Sequence, residues 1–423
     1  MSAWFTLWLA LAGMAGVVWL IRYANLGRIL RERQILGSRS YLGTSPDVPK
    51  VSIVVAAKDE EDNIETCVTG LLDQDYPGYE LIVVDDRSRD RTPVILRRLE
   101  QEAGGRLRVI TVKALCQGWF GKSNAMREGV AVADGEWLLF TDADCRQTSR
   151  RTLSMAMREA AAHESDFLSV TPILDTHTVW ERIIQPVCTL ALMTWFLPHR
   201  VNKPWRKAAY ANGAFMLMRR SCYDAIGGYE RVRSELNEDV QMARLAKQMG
   251  LGLRVVENDD LYRTRMYDSL PAAWRGWSRL FYGCLGSLRR LSAAALLLTL
   301  LCIVPWVSLI IALVGLQGTE VGGATEWGLA ACLWCGAVAI MQLAMWRIYG
   351  ILRTGRVWSF TYVLGAFVVV GMLINAMFKA VGARPTIWRG TTYRGHRLEG
   401  QDVIVSHSDA AAAEVIEEPA THA

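Results

Sequence analysis

Several residue patterns that mark common catalytic or structural sites are missing from this sequence. The nine cysteines are scattered and form neither a disulfide framework nor a zinc framework, which is compatible with a reducing cytosolic face. Cys332 and Cys335 have C-x-x-C spacing, but they lie in an apolar run, where such thiols are more often packing residues than ligands. The six histidines include no helical pair at metal spacing, which argues against a zinc hydrolase.

Two further absences narrow the range of ligands. Gly121-Lys122-Ser123 ends like a phosphate-binding P-loop, but that motif requires glycine five residues before Gly121, and Cys116 stands there. The sequence also contains no basic helix with interleaved aromatic residues, and its net charge of +5 is modest. The Lys and Arg residues therefore fit an anionic membrane surface better than nucleic acid, which we do not expect as a partner.

Apolar residues are abundant instead. Of the 423 residues 51% are hydrophobic and 16 are Trp, which predicts a globular domain together with membrane segments. The apolar run from Ala3 to Ile21 is long enough to cross a bilayer. A signal peptide requires positive charge before such a run and a small-residue cleavage site after it, and neither is present. Residues 1–23 are therefore predicted to be a transmembrane anchor.

The distribution of arginine predicts the orientation of the chain. Four arginines follow the first run, namely Arg22, Arg28, Arg31 and Arg33. The positive-inside rule then places the following domain in the cytoplasm of a multi-pass protein of the cell (inner) membrane.

Residues 291–381 are predicted to form three further spans. Their approximate limits are 291–316, 327–346 and 358–381. Three spans leave the tail, residues 382–423, outside the cell, although its arginines favour the inside. Either one span is re-entrant or this end tolerates the charge, and the stretch from Ser406 is predicted to be disordered.

The domain at 44–290 begins with a linker at 44–50 and then alternates between strand and helix patterns. The strand patterns lie at 51–57, 80–85, 108–112, 136–141 and 167–174, and the helix patterns lie at 60–72, 91–102, 122–133 and 149–163. This alternation is typical of an α/β fold with a parallel, doubly wound sheet. Ligands of such sheets bind beyond the carboxyl ends of the strands.

Acidic residues follow three of these strands. The three clusters are Lys58-Asp59-Glu60, Asp85-Asp86 and Asp142-Ala143-Asp144. Because side chains alternate along a strand, Asp142 and Asp144 are predicted to point the same way. Two such acids are costly without a cation between them, and a divalent metal that holds a phosphorylated substrate supplies one. The alternative is that the two acids only begin a turn.

Two other segments of the domain are open to two interpretations each. The apolar part of Trp180–Trp205 is too short to span a bilayer and is interrupted by Pro186, so it is either core or an interfacial segment. Its Trp residues and basic flank favour the interface. Glu238 and Asp239 open a helix that extends through Met249, where acids also suit the helix dipole.

Six short motifs of this domain resemble, in their order, those of the glycosyltransferases of family 2. They are Val51–Glu60, Val83–Asp90, Gly121-Lys122, Thr141–Asp144, Gly213–Phe215 and Asn237–Asp239. Members of that family have a GT-A fold, use nucleotide-diphosphate sugars and invert the anomeric centre. The resemblance implies a GT-A catalytic domain, with a Rossmann-like doubly wound sheet, joined to transmembrane helices.

The resemblance also implies which residues hold the donor, expected to be a UDP-sugar. Glu60 and Asp86, with Asp85 as a neighbouring candidate, would contact the uracil or the ribose. Asp144 would bind the Mg²⁺ or Mn²⁺ that bridges the diphosphate, and Asp142 would support it or contact the ribose.

The remaining assignments concern charge and proton transfer. Lys122 would pair with a phosphate or with the D-x-D acids. Asp239, beside Glu238, would be the general base for the acceptor hydroxyl, a role that typically contributes about 10²–10⁴-fold in rate. Since Asp239 is far from Asp144 in sequence, the two can lie on opposite sides of the sugar carbon, as a single in-line displacement requires.

The segment Arg263–Arg279, within a predicted interfacial stretch near 263–290, carries a finer resemblance. Together with Gly118–Lys122 it is similar to the bacterial branch that glycosylates lipids, which includes carotenoid-acid and hopanoid-associated transferases and, more distantly, ceramide glucosyltransferases. This segment could close over the diphosphate, so Arg275 and Trp277 are assigned to the nucleotide-sugar site. The alternative is a plain amphipathic juxtamembrane helix.

Polymer synthases of the family carry a Q/R-x-x-R-W motif, which is incomplete here. Trp277 matches its Trp, but Ala273 and Gly276 occupy its other positions. The expected activity is therefore transfer of a sugar to a membrane lipid at the bilayer surface. A processive exopolysaccharide synthase and a catalytically inactive scaffold or sugar-nucleotide sensor are the alternatives, and the sugar, the lipid and the oligomeric state stay open.

Overall fold

The computed structural model describes most of the chain. The described residues are 2–41, 48–193, 196, 198–318, 324–383, 386–388, 391–394 and 397–398. The predicted linker at 44–50 lies partly outside these residues, and the predicted disordered stretch from Ser406 lies wholly outside them.

Helices form the larger part of the described structure. They are α1 (Ala3–Glu32), α2 (Ile64–Leu72), α3 (Thr92–Glu102), α4 (Gly121–Val132), α5 (Thr152–Ala162), α6 (Val179–Met193), α7 (Pro198–Val201), α8 (Arg220–Ala225), α9 (Gly228–Arg231), α10 (Glu238–Gln248), α11 (Leu270–Leu285), α12 (Leu288–Leu298), α13 (Val304–Gln317), α14 (Ala324–Ile351) and α15 (Tyr362–Ala380). A π-helical turn at Thr299–Ile303 joins α12 to α13, and a 3₁₀ turn at Arg356–Thr361 precedes α15.

The strands are short and lie mostly between Ile35 and Thr264. They are β1 (Ile35–Leu36), β2 (Val51–Ala57), β3 (Tyr79–Asp86), β4 (Leu107–Val112), β5 (Trp137–Asp142), β6 (Cys145–Gln147), β7 (Phe167–Thr171), β8 (Ile173–Leu174), β9 (Met216–Arg219), β10 (Leu253–Asn258), β11 (Tyr262–Thr264), β12 (Thr386–Trp388), β13 (Thr391–Arg394) and β14 (Arg397–Leu398).

Contacts divide the chain into a sheet unit and a helical unit. The sheet unit consists mainly of Gln34–Ile173 and Arg200–Thr264, and the helical unit consists of Met1–Arg33, Leu174–His199 and Arg265–Ala383. The segments 174–199 and 265–290, which the sequence placed within the domain at 44–290, thus group with the helices.

The sheet unit contains an eight-stranded sheet in the order β1-β10-β7-β9-β5-β2-β3-β4. Its strand pairs are parallel except those of β9, which runs antiparallel to both β5 and β7. The predicted α/β fold class is confirmed, but the sheet is mixed rather than wholly parallel. β9 is only four residues long and almost entirely buried, so it shows none of the alternation that identifies a strand in sequence.

The central strands bring the three acidic clusters to one edge of the sheet. β2 lies between β5 and β3, and its side chains are nearly all buried, as expected of a strand covered on both faces. In this register Ala56 pairs with Asp142 and Ala57 pairs with Asp85. Asp142 and Asp85 therefore lie on either side of the end of β2, in register with two consecutive residues of that strand.

The D-x-D segment departs from the expectation in one respect. β5 ends at Asp142, Ala143 and Asp144 form a turn, and β6 begins at Cys145. The alternation of side chains along a strand thus does not apply to Asp144, because this residue has already left the strand. The turn interpretation and the metal interpretation are compatible here, since a turn can hold the second acid close to the first.

The helical unit contains four segments that are long and apolar enough to cross a membrane. They are Ala3–Glu32, Leu288–Gln317, Ala324–Ile351 and Arg356–Ala380. Each of them corresponds to one predicted span. The first contains the apolar run from Ala3 to Ile21, and the second and third contain the whole predicted span. The fourth begins two residues before the predicted start at 358 and ends one residue before the predicted end at 381.

α6 packs within the helical unit and buries Ile183, Ile184 and Val187. Gly365 of α15 permits a close approach, because a Cβ at this position would lie 2.4 Å from the Ile183 carbonyl oxygen. One face of the segment is thus core, while Trp180 is 44% exposed. The interfacial role of this segment stays a prediction.

Candidate active site

Lys122 connects two of the predicted motifs directly. It lies in the first turn of α4, and its Nζ is 2.7 Å from Asp142 Oδ1 and 2.9 Å from Glu238 Oε1. Its side chain is only 17% exposed. The ammonium group thus joins the end of β5 to the start of α10, although these elements are almost a hundred residues apart in sequence.

Two glycines make room for this arrangement. A Cβ at Gly121, the first residue of α4, would lie 2.6 Å from Asp86 Oδ2. A Cβ at Gly213 would lie 2.8 Å from Lys122 Nζ. Since both distances are far below a van der Waals contact, a larger residue at either position would displace a charged side chain of the site.

The charge of Lys122 is maintained by its partners. Burial alone would lower its pKa, but the carboxylates of Asp142 and Glu238 outweigh burial and raise the pKa of Lys122 well above its usual value. Lys122 is therefore a fixed cation at every pH near neutrality.

Asp239 is held by backbone groups on both of its oxygens. The Gly213 N–H donates to Oδ2 at 2.9 Å, and the Val240 N–H donates to Oδ1 at 2.7 Å. Burial, followed by the nearby charge of Glu238, raises the pKa of Asp239 to about 7, while Lys122 and the two N–H groups oppose this shift. A fixed carboxyl that titrates near neutral pH has the properties of a general base.

Asp144 lies among other acids. Burial, followed by the charges of Asp142 and Glu60, raises the pKa of Asp144 to about 7, and a hydrogen bond with the Thr264 side chain and the charge of Lys122 act in the other direction. Three carboxyl groups thus repel one another at the carboxyl edge of β2 and β5. A bound cation would relieve this repulsion.

The residues present fit a hard divalent cation, but they supply fewer side-chain ligands than such an ion needs. Asp142 and Asp144 offer carboxylate oxygens, which Mg²⁺ prefers. Within the described residues, no group of three or more His, Cys, Asp or Glu side chains could hold a metal by itself. The remaining ligands would have to be water and diphosphate oxygens. Because Lys122 already contacts Asp142, Asp144 is the better placed of the two to bind a metal.

The three acids expected at the nucleotide also lie at this edge, and all three are buried. Glu60 accepts a hydrogen bond from Asn63 Nδ2 at 2.9 Å, and Asp85 accepts one from the Ser88 N–H at 3.1 Å. Their contacts with a nucleotide stay predictions.

Asp86 has a partner that the sequence did not single out. Arg87 Nε donates to Asp86 Oδ1 at 2.8 Å and Arg87 Nη2 donates to Oδ2 at 3.0 Å. Arg87 adopts a φ of 60°, in the left-handed region that side chains disfavour. In the sequence, the only indication of this pair is that an arginine directly follows the acid at the end of β3. Any contact of Asp86 with a nucleotide stays a prediction.

Arg275 and Trp277 lie on α11 in the helical unit, whereas the other predicted site residues lie in the sheet unit. Trp277 is 3% exposed and its ring packs against Phe281, with centroids 5.8 Å apart. Arg275 is exposed. Their assignment to the nucleotide-sugar site stays a prediction.

The mixed α/β sheet, with the D-x-D turn at its carboxyl edge and an acidic pair at the start of α10, is a GT-A-like fold. In agreement, the mannosyltransferase PcManGT from Pyrobaculum calidifontis, solved with GDP-Man and Mn²⁺, aligns with a TM-score of 0.51 at 18% identity, over 90% of this chain and 99% of that one. Residues 52–227 match the model of Glycosyl transferase family 2. This match covers less than half of the chain, and for that segment it confirms the resemblance seen in the sequence.

Two curated relatives act on lipids according to their names. A beta-monoglucosyldiacylglycerol synthase from Synechocystis is 33% identical over 185 residues, which is 43% of this chain and 37% of that protein. A 4,4'-diaponeurosporenoate glycosyltransferase from Staphylococcus haemolyticus is 22% identical over 255 residues, or 60% of this chain and 66% of that protein. The chain thus spans less than two thirds of the length of each of these relatives.

The central position of Lys122 can be tested by the variant Lys122→Met. It removes the cation from a group of buried acids, and we expect a loss of about 3–5 kcal/mol in the free energy of unfolding, as for other broken buried pairs. The loss should increase between pH 6 and pH 8, because the raised pKa of Asp239 keeps it partly protonated at the lower pH. Thermal unfolding of the detergent-solubilised protein measures both effects.

The matched control is Lys50→Met. Lys50 is also paired with an acid, Asp134, at 2.5 Å, but both side chains are largely exposed, so little change is expected. Equal, pH-independent losses in the two variants would contradict the role assigned to Lys122.

Proposed function

We propose that this protein transfers a sugar from a nucleotide-diphosphate sugar, of the UDP-hexose type, to a membrane lipid with inversion of the anomeric centre. The observation that carries the proposal is the link through Lys122 between the D-x-D acids and the start of α10. This link supports a single site that contains the acids proposed to bind the diphosphate and, beside Glu238, the proposed base Asp239.

Charge develops on the leaving diphosphate as the donor bond breaks. Asp144, supported by Asp142, would hold Mg²⁺ or Mn²⁺, and such an ion, when bound, stabilises this developing charge. Lys122 keeps Asp142 in position and adds a fixed positive charge near it. Glu60, Asp85 and Asp86, at the ends of β2 and β3, are the proposed contacts of the nucleoside.

The acceptor hydroxyl must lose a proton as it attacks the sugar. Asp239 is the proposed base, since two backbone N–H groups fix its carboxylate and its pKa is about 7. If the acceptor attacks from the side of α10 while the diphosphate leaves on the other side, the reaction is a single displacement that inverts the anomeric carbon. A carboxylate acceptor would need no base, so the role of Asp239 applies to hydroxyl acceptors.

A lipid acceptor is supported by the four apolar helices and by the names of the two curated relatives. The arginines after Ile21 support a multi-pass protein of the inner membrane with the sheet unit in the cytoplasm. In this arrangement the nucleotide sugar would come from the cytoplasm and the acceptor from the adjoining leaflet.

Transfer can be tested with the full chain in nanodiscs that contain diacylglycerol or a total bacterial lipid extract. With UDP-glucose or another UDP-hexose, we expect a lipid product one hexose heavier, detected by mass spectrometry. Asp239→Asn should lower the rate of formation of a hydroxyl-linked product by about 10²–10⁴-fold, since it removes the base.

The control for this substitution is Glu235→Gln, four residues earlier, where the acid contacts Gln241 instead of the site. Near wild-type transfer by Asp239→Asn would refute the base assignment. Products with many added sugars would indicate a processive synthase, and donor binding without any transfer would indicate a sensor.

The pH dependence of transfer provides a separate prediction. Because the base must be deprotonated, kcat/KM for a hydroxyl acceptor should fall as the pH decreases through about 7. Binding of UDP, measured in parallel, should change less over the same range. A flat profile between pH 6 and pH 8 with a chemical step that limits the rate would contradict the assignment.

The metal assignment predicts the effect of Asp144→Asn on Mn²⁺ binding. Electron paramagnetic resonance of Mn²⁺ with UDP should show about ten-fold or greater weakening in the variant, because a direct ligand is lost. Glu136→Gln, an exposed acid at the other end of β5, should bind Mn²⁺ as the wild type does. Unchanged binding by Asp144→Asn would show that the metal, if bound, is held elsewhere.

A further inference from the structure

The helical unit contains a small crevice that is open to its surroundings. Its walls come from α1, α6, α12 and the π-helical turn. The lining residues are Trp19, Arg22, Leu190, Ala191, Leu298 and Leu301, together with three further small or apolar side chains. Every one of them except Arg22 is apolar, aromatic or a thiol.

The π-helical turn at this crevice has a physical cause. Pro305 has no N–H, so the carbonyl of Leu301, four residues earlier, loses its usual helical donor. The Val304 N–H instead donates to the Thr299 carbonyl, which is the π-helical pattern.

The Leu301 carbonyl finds its partner on another helix. Trp19 Nε1 donates to it at 2.9 Å, and the Trp19 ring is only 2% exposed. One wall of the crevice is therefore an indole held in place by a hydrogen bond, beside the aliphatic side chains of the other walls.

Arg22 is the cation of this crevice. It lies one turn after Trp19 on α1, with its guanidinium carbon 5.8 Å from the centroid of the Trp19 ring. Among the described residues Arg22 has no hydrogen bond or ion pair, whereas Arg28 on the same helix pairs with Glu32 at 3.0 Å. A cation beside apolar walls, just after the apolar run of α1, favours an anionic ligand from outside the protein.

We propose that this crevice binds one anionic phospholipid of the cytoplasmic leaflet. Its phosphate would lie on Arg22, whose planar guanidinium suits phosphate oxygens, and one acyl chain would lie along the apolar wall. This lipid is a resident ligand of the membrane segment and not the acceptor. The proposal shares with the proposed function the placement of α1 in a membrane, but it does not depend on sugar transfer.

The test uses the purified full chain in detergent, incubated with equal amounts of phosphatidylglycerol and phosphatidylcholine. Native mass spectrometry then counts the lipids that remain bound. We expect one phosphatidylglycerol retained by the wild type and by the control Arg28→Gln. Arg22→Gln should retain at least about ten-fold less, since a charge-assisted contact is lost.

A second variant acts on shape instead of charge. Ala191→Phe fills the crevice and should also reduce retention of phosphatidylglycerol while leaving Arg22 in place. Equal retention of the two lipids, or the same retention in Arg22→Gln and Arg28→Gln, would mean annular lipid only and would overturn the proposal.

A third arm separates a resident lipid from an acceptor. After addition of the nucleotide sugar, the retained phosphatidylglycerol should keep its mass, and a hexose added to it would overturn the assignment as a resident lipid. Lipid retention without any transfer to other lipids would leave this inference intact and count only against the proposed function.

Discussion

The site depends on a balance between repelling carboxyl groups and the buried ammonium group of Lys122. Asp142 and Glu238 contact this group directly, and Asp144 and Asp239 feel its charge. The glycines at 121 and 213 are required by the same balance, because any side chain there would move a charged partner. Burial first, and the charges of neighbouring acids second, raise the pKa values of Asp144 and Asp239, and the opposing charge of Lys122 does not cancel these effects. This incomplete balance is consistent with the proposed roles, in which Asp144 would bind a cation and Asp239 would accept a proton.

Much of the fold could be predicted from local patterns. The strands β2, β3 and β5 and the helices α3, α4 and α10 lie within a few residues of their predicted limits, because apolar runs and polar strand ends are visible in a short window. The four apolar helices were equally visible, since hydropathy is a local property. The prediction that the acids at the carboxyl ends of the strands form a binding site followed from the rule that ligands bind at this edge.

What could not be predicted depends on contacts between distant segments. β9 is recognised as a strand only by its neighbours β5 and β7, and the pairing of Asp86 with Arg87 depends on an uncommon backbone conformation. The departure of Asp144 from the strand depends on where the β6–β11 pairing begins. Pro305 indicates in the sequence that the helix is interrupted there. The hydrogen bond between Trp19 and the Leu301 carbonyl, in contrast, can be recognised only in the tertiary structure.

The reversed direction of β9 separates the two chemical tasks along the gene. Because β9 is antiparallel to β5, the residues before it reach the same edge as the ends of the parallel strands, and the Ala214 carbonyl accepts a hydrogen bond from Thr141 Oγ1 at 2.8 Å. Within the sheet unit, the residues proposed for the donor thus precede residue 148, and the residue proposed as the base follows residue 211. On these proposed assignments, mutation or recombination within the second block would alter the acceptor side while the first block is inherited unchanged. Such a chain would be able to acquire new acceptors in evolution without rebuilding its recognition of the nucleotide.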